Sequence, residues 1–137
     1  MSPAMFRKFV LSYLSKAIRL AHSYGLPFIK HTDGNIWKIL DMMVEAGIDG
    51  LHPIEPHAGM DIGEVKRRYG DRISFFGGMS TQRTLPGAST EQVRDKTRWL
   101  CDTIGAGGGY VFSPAHDVPG DVPAENMAAM VEELKRQ

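Results

Sequence analysis

The sequence predicts an α/β fold, a parallel (β/α) half-barrel of four strands. Three observations carry that expectation. Short apolar runs of strand type alternate with longer stretches of helical periodicity four times over, the pattern of a parallel sheet with crossover helices. Glycine, often with proline nearby, punctuates the junctions, so the elements are short and sharply bounded. The length of 137 residues is roughly half of the about 250 that an eight-stranded (β/α)₈ barrel needs.

The chain opens on a helix. Ser2 offers an N-capping hydroxyl and Pro3 suits the first helical position. Phe6, Val10, Tyr13, Leu14, Ala17, Ile18 and Ala21 recur at three- and four-residue spacing as the expected inward stripe. Gly25 ends this helix and Pro27 prevents its resumption. Phe28 to His31 is the first strand, and Trp37, Leu40, Met43 and Val44 mark a second amphipathic helix closed by Gly47. Asp49-Gly50 reads as a turn, and the second strand runs from Gly50 toward Glu55 and Pro56.

Asp61 with Glu64 resembles a capping box before a short basic helix ending at Gly70. Ile73 to Phe76 is the third strand, stopped by Gly77-Gly78, and a loop with Arg83 and Pro86 follows. Ser89 with Gln92 repeats the capping pattern and opens a helix through Val93, Trp99, Leu100 and Ile104, in which Cys101 is expected to pack inside. The triple glycine at 107–109 precedes a strand instead of opening a helix, so it is a turn and no phosphate loop. Tyr110 to Ser113 is the fourth strand, 114–122 is loop, and Pro123 to Leu134 is the last helix with Met127, Met130, Val131 and Leu134 inward.

Sixteen basic and sixteen acidic residues cancel to a formal charge of +0, which points away from nucleic acid and from an anionic membrane surface and leaves little repulsion between copies. No apolar run approaches the ~20 residues that span a bilayer, and Lys8 and Lys16 interrupt the N-terminal apolar stretch. The single cysteine excludes an internal disulfide and suits a reducing cytoplasm. The 1–137 unit starts on a helix that would ordinarily follow an earlier strand, as if cut from a larger fold. Half a barrel leaves two unpaired edges and a bare inner face, so either a homodimer or a missing N-terminal half is expected to complete it.

The polar residues gather at strand ends. His31 and Asp33 stand two apart at the end of the first strand, a spacing that projects both on one face, and Asn35 follows them. The second strand ends with His52, Glu55 and His57, the third with Gly77, Gly78, Ser80 and Gln82 before Arg83, and the fourth with Ser113, His116 and Asp117. In a parallel sheet these ends share one side. His31, Asp33 and His116 therefore form a candidate divalent-metal set of facial-triad type, with Glu55 as a fourth ligand or as general acid/base. Zinc suits imidazole and carboxylate, and iron or cobalt also fit.

Asn35, His52, Gly77 and Arg83 are the candidate substrate contacts, Arg83 through the fork that a guanidinium offers to a carboxylate or phosphate. Two of them have a plainer reading: His52 as a packed histidine and Arg83 as a solvated loop arginine. His22 on the first helix reads as structural, and His57 after Pro56 as solvated.

Several segments, taken in order, resemble the uroporphyrinogen decarboxylase superfamily, which includes corrinoid-dependent methyltransferases. They are Ser2-Pro3-Ala4-Met5-Phe6, His31-Thr32-Asp33-Gly34-Asn35, Gly47-Ile48-Asp49-Gly50-Leu51, Ile54-Glu55-Pro56 and Lys66-Arg67-Arg68-Tyr69-Gly70-Asp71. Phe76-Gly77-Gly78, Gly107-Gly108-Gly109-Tyr110, Ser113-Pro114-Ala115-His116 and Val122-Pro123-Ala124-Glu125-Asn126 complete the set. The resemblance covers nearly the whole chain and implies the C-terminal half of a TIM barrel.

Two branches follow from it. The methyltransferase branch implies zinc held by a His-x-Cys pair and a later cysteine, with a corrinoid as methyl carrier. Here His31 matches the histidine, while Asp33 and His116 stand where the cysteines would be, replacing thiolates by a carboxylate and an imidazole. The decarboxylase branch implies a tetrapyrrole substrate and no metal or organic cofactor, and His116 with Pro123-Ala124-Glu125-Asn126 resembles its C-terminal histidine segment. That branch's arginine-rich N-terminal segment and key aspartate have no counterpart in this sequence. The chemistry at the strand ends favours a metal-dependent methyltransferase or demethylase acting on a small methylated compound. A tetrapyrrole decarboxylase is the alternative, as is an inactive or tetrapyrrole-binding fragment.

Overall fold

The computed structural model describes residues 1–137. Its strands are β1 (Ile29–His31), β2 (Gly50–Ile54), β3 (Ser74–Met79) and β4 (Tyr110–Pro114). They form one parallel sheet in the order β1-β2-β3-β4. The helices are α1 (Pro3–Phe6), α2 (Ser12–Ser23), α3 (Trp37–Glu45), α4 (Ile62–Tyr69), α5 (Thr84–Gly87), α6 (Thr90–Trp99) and α7 (Ala124–Leu134). Spatial order follows sequence order without a reversal, so crossovers of one hand put every helix on the same face. The buried residues agree: Phe6, Ile18, Leu40, Val65, Leu85, Leu100 and Met130 belong to a single cluster with Leu51 of β2 and Phe75 of β3. The other face is bare, and Ile29 and Val111 on the two edge strands each stay 48% exposed. The protein is a half-barrel.

Caps set the helix starts. Ser2 Oγ accepts from the Met5 N–H at 3.3 Å, Asp61 Oδ1 from the Glu64 N–H at 3.0 Å, and Ser89 with Gln92 makes a complete capping box. The Asp61 box is only half made, because the Glu64 carboxylate pairs with Arg67 instead. The loop after β3 holds a short helix, α5, where the sequence suggested an irregular connection.

Three expected inward positions face outward. Between α1 and α2 the backbone passes through a π-helical turn, Arg7–Leu11. Its wider winding keeps residues four apart nearly aligned, so the inward row is Phe6, half-buried Val10, Leu14 and Ile18. Tyr13 and Ala17, assigned inward on a 3.6-residue period, are exposed. A second π-helical turn, Leu100–Ile104, buries Leu100 and Ile104 and leaves Cys101 half-buried. On α7 Val131 is exposed and Glu133 is buried, its carboxylate held by Arg98 Nε at 3.0 Å and Arg136 Nη1 at 3.4 Å. A paired carboxylate can occupy a core position that its residue type alone argues against.

Asp49, expected as a plain turn residue, is a latch. Its Oδ2 accepts the Phe28 N–H at 2.6 Å and approaches His22 Nε2 at 2.7 Å, joining the end of α2 to the start of β1. The Phe28 N–H, and then His22, hold this carboxyl below its usual pKa. Asp49→Ala should cost about 1 kcal/mol in urea unfolding, near the low end for a charged hydrogen bond because the pair is half exposed. A depressed folded-state pKa means that the increment is complete above the unfolded value near 4 and fades as pH falls through the folded one. The difference between wild type and variant should therefore shrink in acid.

Candidate functional site

Parallel pairing sends every strand's C-terminal end to one rim, and two extensions bring the key residues over it. Past β1 the ladder continues, with the Thr32 N–H donating to the His52 carbonyl at 2.8 Å. Past β4 the Ala115 N–H donates to the Met79 carbonyl at 2.9 Å, which delivers His116 to the same side as His31. The two rings lie 6.3 Å apart, edge to face at 71°. Asp33 Oδ2 stands 3.5 Å from His31 Nε2. One ligand atom each from His31, Asp33 and His116 falls within 4.8 Å of the other two.

A zinc ion with bonds of about 2.1 Å would want neighbouring ligand atoms about 3.4 Å apart. His31 and Asp33 already meet that separation, and the side chains are 55% and 59% exposed, free to turn the rest of the way. Two imidazoles and one carboxylate are a donor set that zinc and other first-row divalent ions accept. On donor type and spacing, the residues fit a divalent cation.

His52 lies directly across from His31 in register. Their Nδ1 atoms are 2.8 Å apart, and the other side of the His52 ring meets Phe76 edge-on at 6.0 Å. Partial burial, then the neighbouring His31, lower the His52 pKa from its ordinary value. Next to this pair is a groove of about 400 Å³ lined by Asp33, Glu55, His57, Gln82 and His116. Glu55 is buried and its Oε1 accepts the His57 N–H at 2.8 Å, capping the 3₁₀ turn Pro56–Ala58. It stands outside the three converging ligand atoms and lines the groove beside them. His57, expected merely solvated, is exposed but lines this groove. The hint in the sequence was Glu55-Pro56-His57 itself, an acceptor just before a proline-led turn.

Three other candidate contacts have different surroundings. Asn35 Oδ1 accepts the Trp37 N–H at 3.3 Å at the start of α3, and it lines an adjoining, more apolar groove that shares Asp33. Gly77 is buried, with its carbonyl taking the Tyr110 hydroxyl at 2.6 Å. Its φ is +99°, and a Cβ there would approach the Ile54 backbone N and O at 3.0 and 3.1 Å. It is a close-packing position between β2 and β3 and does not line the groove. Arg83 is exposed in a neighbouring polar groove with Thr84, Gln92 and Asp121, and Gln82 is common to both grooves.

The uroporphyrinogen decarboxylase (URO-D) family model matches residues 1–137. The chain belongs to the uroporphyrinogen decarboxylase family. A uroporphyrinogen decarboxylase of Thioalkalivibrio sulfidiphilus is 30% identical over 145 residues, covering 99% of this chain and 38% of the relative. One of Coxiella burnetii is 29% identical over 144 residues, covering 98% and 37%. Among solved structures, a methyltransferase from Methanosarcina mazei superposes with a TM-score of 0.76 at 27% identity, over 99% of this chain and 38% of that one. The chain thus spans under two-fifths of the length of these relatives, which carry the names of enzymes. No helix is long and apolar enough to cross a membrane.

If Gly77 serves strand packing, Gly77→Ala should lower stability by about 2 kcal/mol or more, the combined cost of a positive φ and a backbone clash. A shift of the urea midpoint reads this directly, and an unchanged midpoint would return Gly77 to the list of ligand contacts.

Proposed function

We propose that the chain is the C-terminal half-barrel of a methyltransferase or demethylase of the uroporphyrinogen decarboxylase family, with a divalent cation, zinc in the first place, held by His31, Asp33 and His116. The observation that carries this reading is the convergence of those three donors within 4.8 Å from the two opposite edge strands of the sheet. Likeness to a methyltransferase structure supports it. When bound, such a cation would lower the pKa of a methyl acceptor or polarise a methoxyl oxygen.

The protein's own groups do the rest. Asp33, which also lines the groove, brings a negative charge that would offset part of the cation's. Glu55 keeps Oε1 on the His57 N–H, leaving Oε2 to give or take a proton beside a bound substrate. His57 and Gln82 offer hydrogen bonds along the groove wall. The substrate would be a small methylated compound, with a corrinoid as the other methyl carrier. The half-exposed Ile29 and Val111 edges are where the remaining strands, from a second copy or from an N-terminal half, would add. One reducing compartment, the cytoplasm, suits the lone half-buried Cys101 thiol.

The names of the curated relatives favour a second reading, decarboxylation of a tetrapyrrole, which on this chain would need no metal. A porphyrinogen carries several carboxylates, and the groove beside His116 is lined by no arginine or lysine. Arg83, in the next groove, is the nearest match to that need.

Metal content separates the two. Chelator-treated protein reloaded with zinc should retain about one equivalent after dialysis, and His31→Ala, Asp33→Ala and His116→Ala should each weaken binding by about 100-fold or more. His22→Ala should bind as wild type does. Wild-type zinc content in His31→Ala would end the metal reading.

A further inference from the structure

We infer that His52 orients His31 for cation binding by accepting a hydrogen bond from His31 Nδ1, which leaves the Nε2 lone pair of His31 aimed at the space shared with Asp33 and His116. The inference rests on the proposed cation site and adds to it a positioning residue that is not itself a ligand.

The geometry leaves few choices. Two imidazole Nδ1 atoms 2.8 Å apart hold one proton between them, since two lone pairs or two N–H groups would repel at that distance. If His52 were the donor, a neutral His31 would carry its own proton on Nε2. That N–H would block ligation, and Asp33 Oδ2 at 3.5 Å is too far to reward it with a normal hydrogen bond. If His31 is the donor, its Nε2 is bare, and that is the atom beside Asp33. Only the second arrangement lets His31 join the three-donor set within 4.8 Å.

His52 is suited to the acceptor's part because its ring has little freedom. It is partly buried, its strand places it opposite His31 in register, and Phe76 closes the other side at 76°. With Nδ1 engaged by His31 it stands outside the converging ligand atoms. Metal-bound histidines ordinarily give their second N–H to a carboxylate or a backbone carbonyl. In this chain a second imidazole, brought there by strand register, fills that place.

The test uses the full chain with zinc as the probe. His52→Ala should weaken zinc binding by about 10–100-fold, measured by competition with a chromophoric chelator. His52→Gln, whose amide oxygen can accept from His31, should recover most of the loss, which a merely space-filling role would not predict. In ¹⁵N-labelled, zinc-loaded protein, NMR should find the proton on His31 Nδ1 and a coupling across the hydrogen bond to His52 Nδ1. Wild-type affinity in His52→Ala, or a proton residing on His52 Nδ1 in the loaded chain, would overturn the inference. Should wild type take up no zinc, the cation reading falls instead, and the Nδ1–Nδ1 coupling in metal-free protein still decides whether the hydrogen bond exists.

Discussion

The parallel hydrogen-bond ladder, run in unbroken sequence order, is the constraint on which the molecule depends. A strand that pairs parallel to its predecessor must return by a crossover of fixed hand. Four strands ordered β1-β2-β3-β4 consequently place all helices on one face and all strand tips on one rim. The first consequence explains why one cluster of apolar side chains serves as the whole core. The second explains why His31 and His116, eighty-five positions apart in the sequence, have rings 6.3 Å from each other.

The same ladder leaves a debt on the other face. In a full barrel the inner side chains fill the interior in layers. Here Ile29 and Val111 lie half exposed at the two edges, with the histidines of the rim above them. Openness of this kind makes the imidazoles and Asp33 accessible to solvent, so their electrostatic interactions are screened, and any covering half would strengthen them by excluding water. Where the helices do close over the sheet, polar groups are satisfied with care. Buried Asn126 donates to the carbonyls of Leu85 and Ala88 at 2.8 and 2.9 Å, tying α7 to the α5 turn. Tyr69 donates to Asp41 at 2.6 Å, and burial with that neighbour pushes its phenol up to about 12.

At the rim, the replacement of soft by hard donors is the chemical point that separates this chain from the thiolate pattern its sequence resembles. On the proposed reading, imidazole and carboxylate would hold a divalent ion with less charge donation than two thiolates, and an ion so held would be a stronger Lewis acid toward oxygen. Glu55 is held in the adjoining groove by the His57 N–H. It lies beside the donor cluster and outside it, and under the proposed function that separation would keep binding and proton transfer on different residues.

By itself the sequence determined the element order, the helix caps at Ser2 and Ser89, and the gathering of His31, Asp33, Glu55 and His116 at strand ends. These are local matters, set by periodicity, capping chemistry and the two-residue alternation of a strand. Gly77-Gly78, read as the stop of the third strand, instead pair within β3, which runs on to Met79. Tertiary structure decided what depends on register and on helix winding. The π-helical turn at Arg7–Leu11 moved Tyr13 and Ala17 outward, the Arg98 partner drew Glu133 inward, and the close approach of β2 took Gly77 out of the groove. Pairing across β1 and β2 set His52 against His31, a contact between residues twenty-one positions apart that no local pattern encodes. Registers are settled by which faces can be buried together, and that is a property of the assembled sheet.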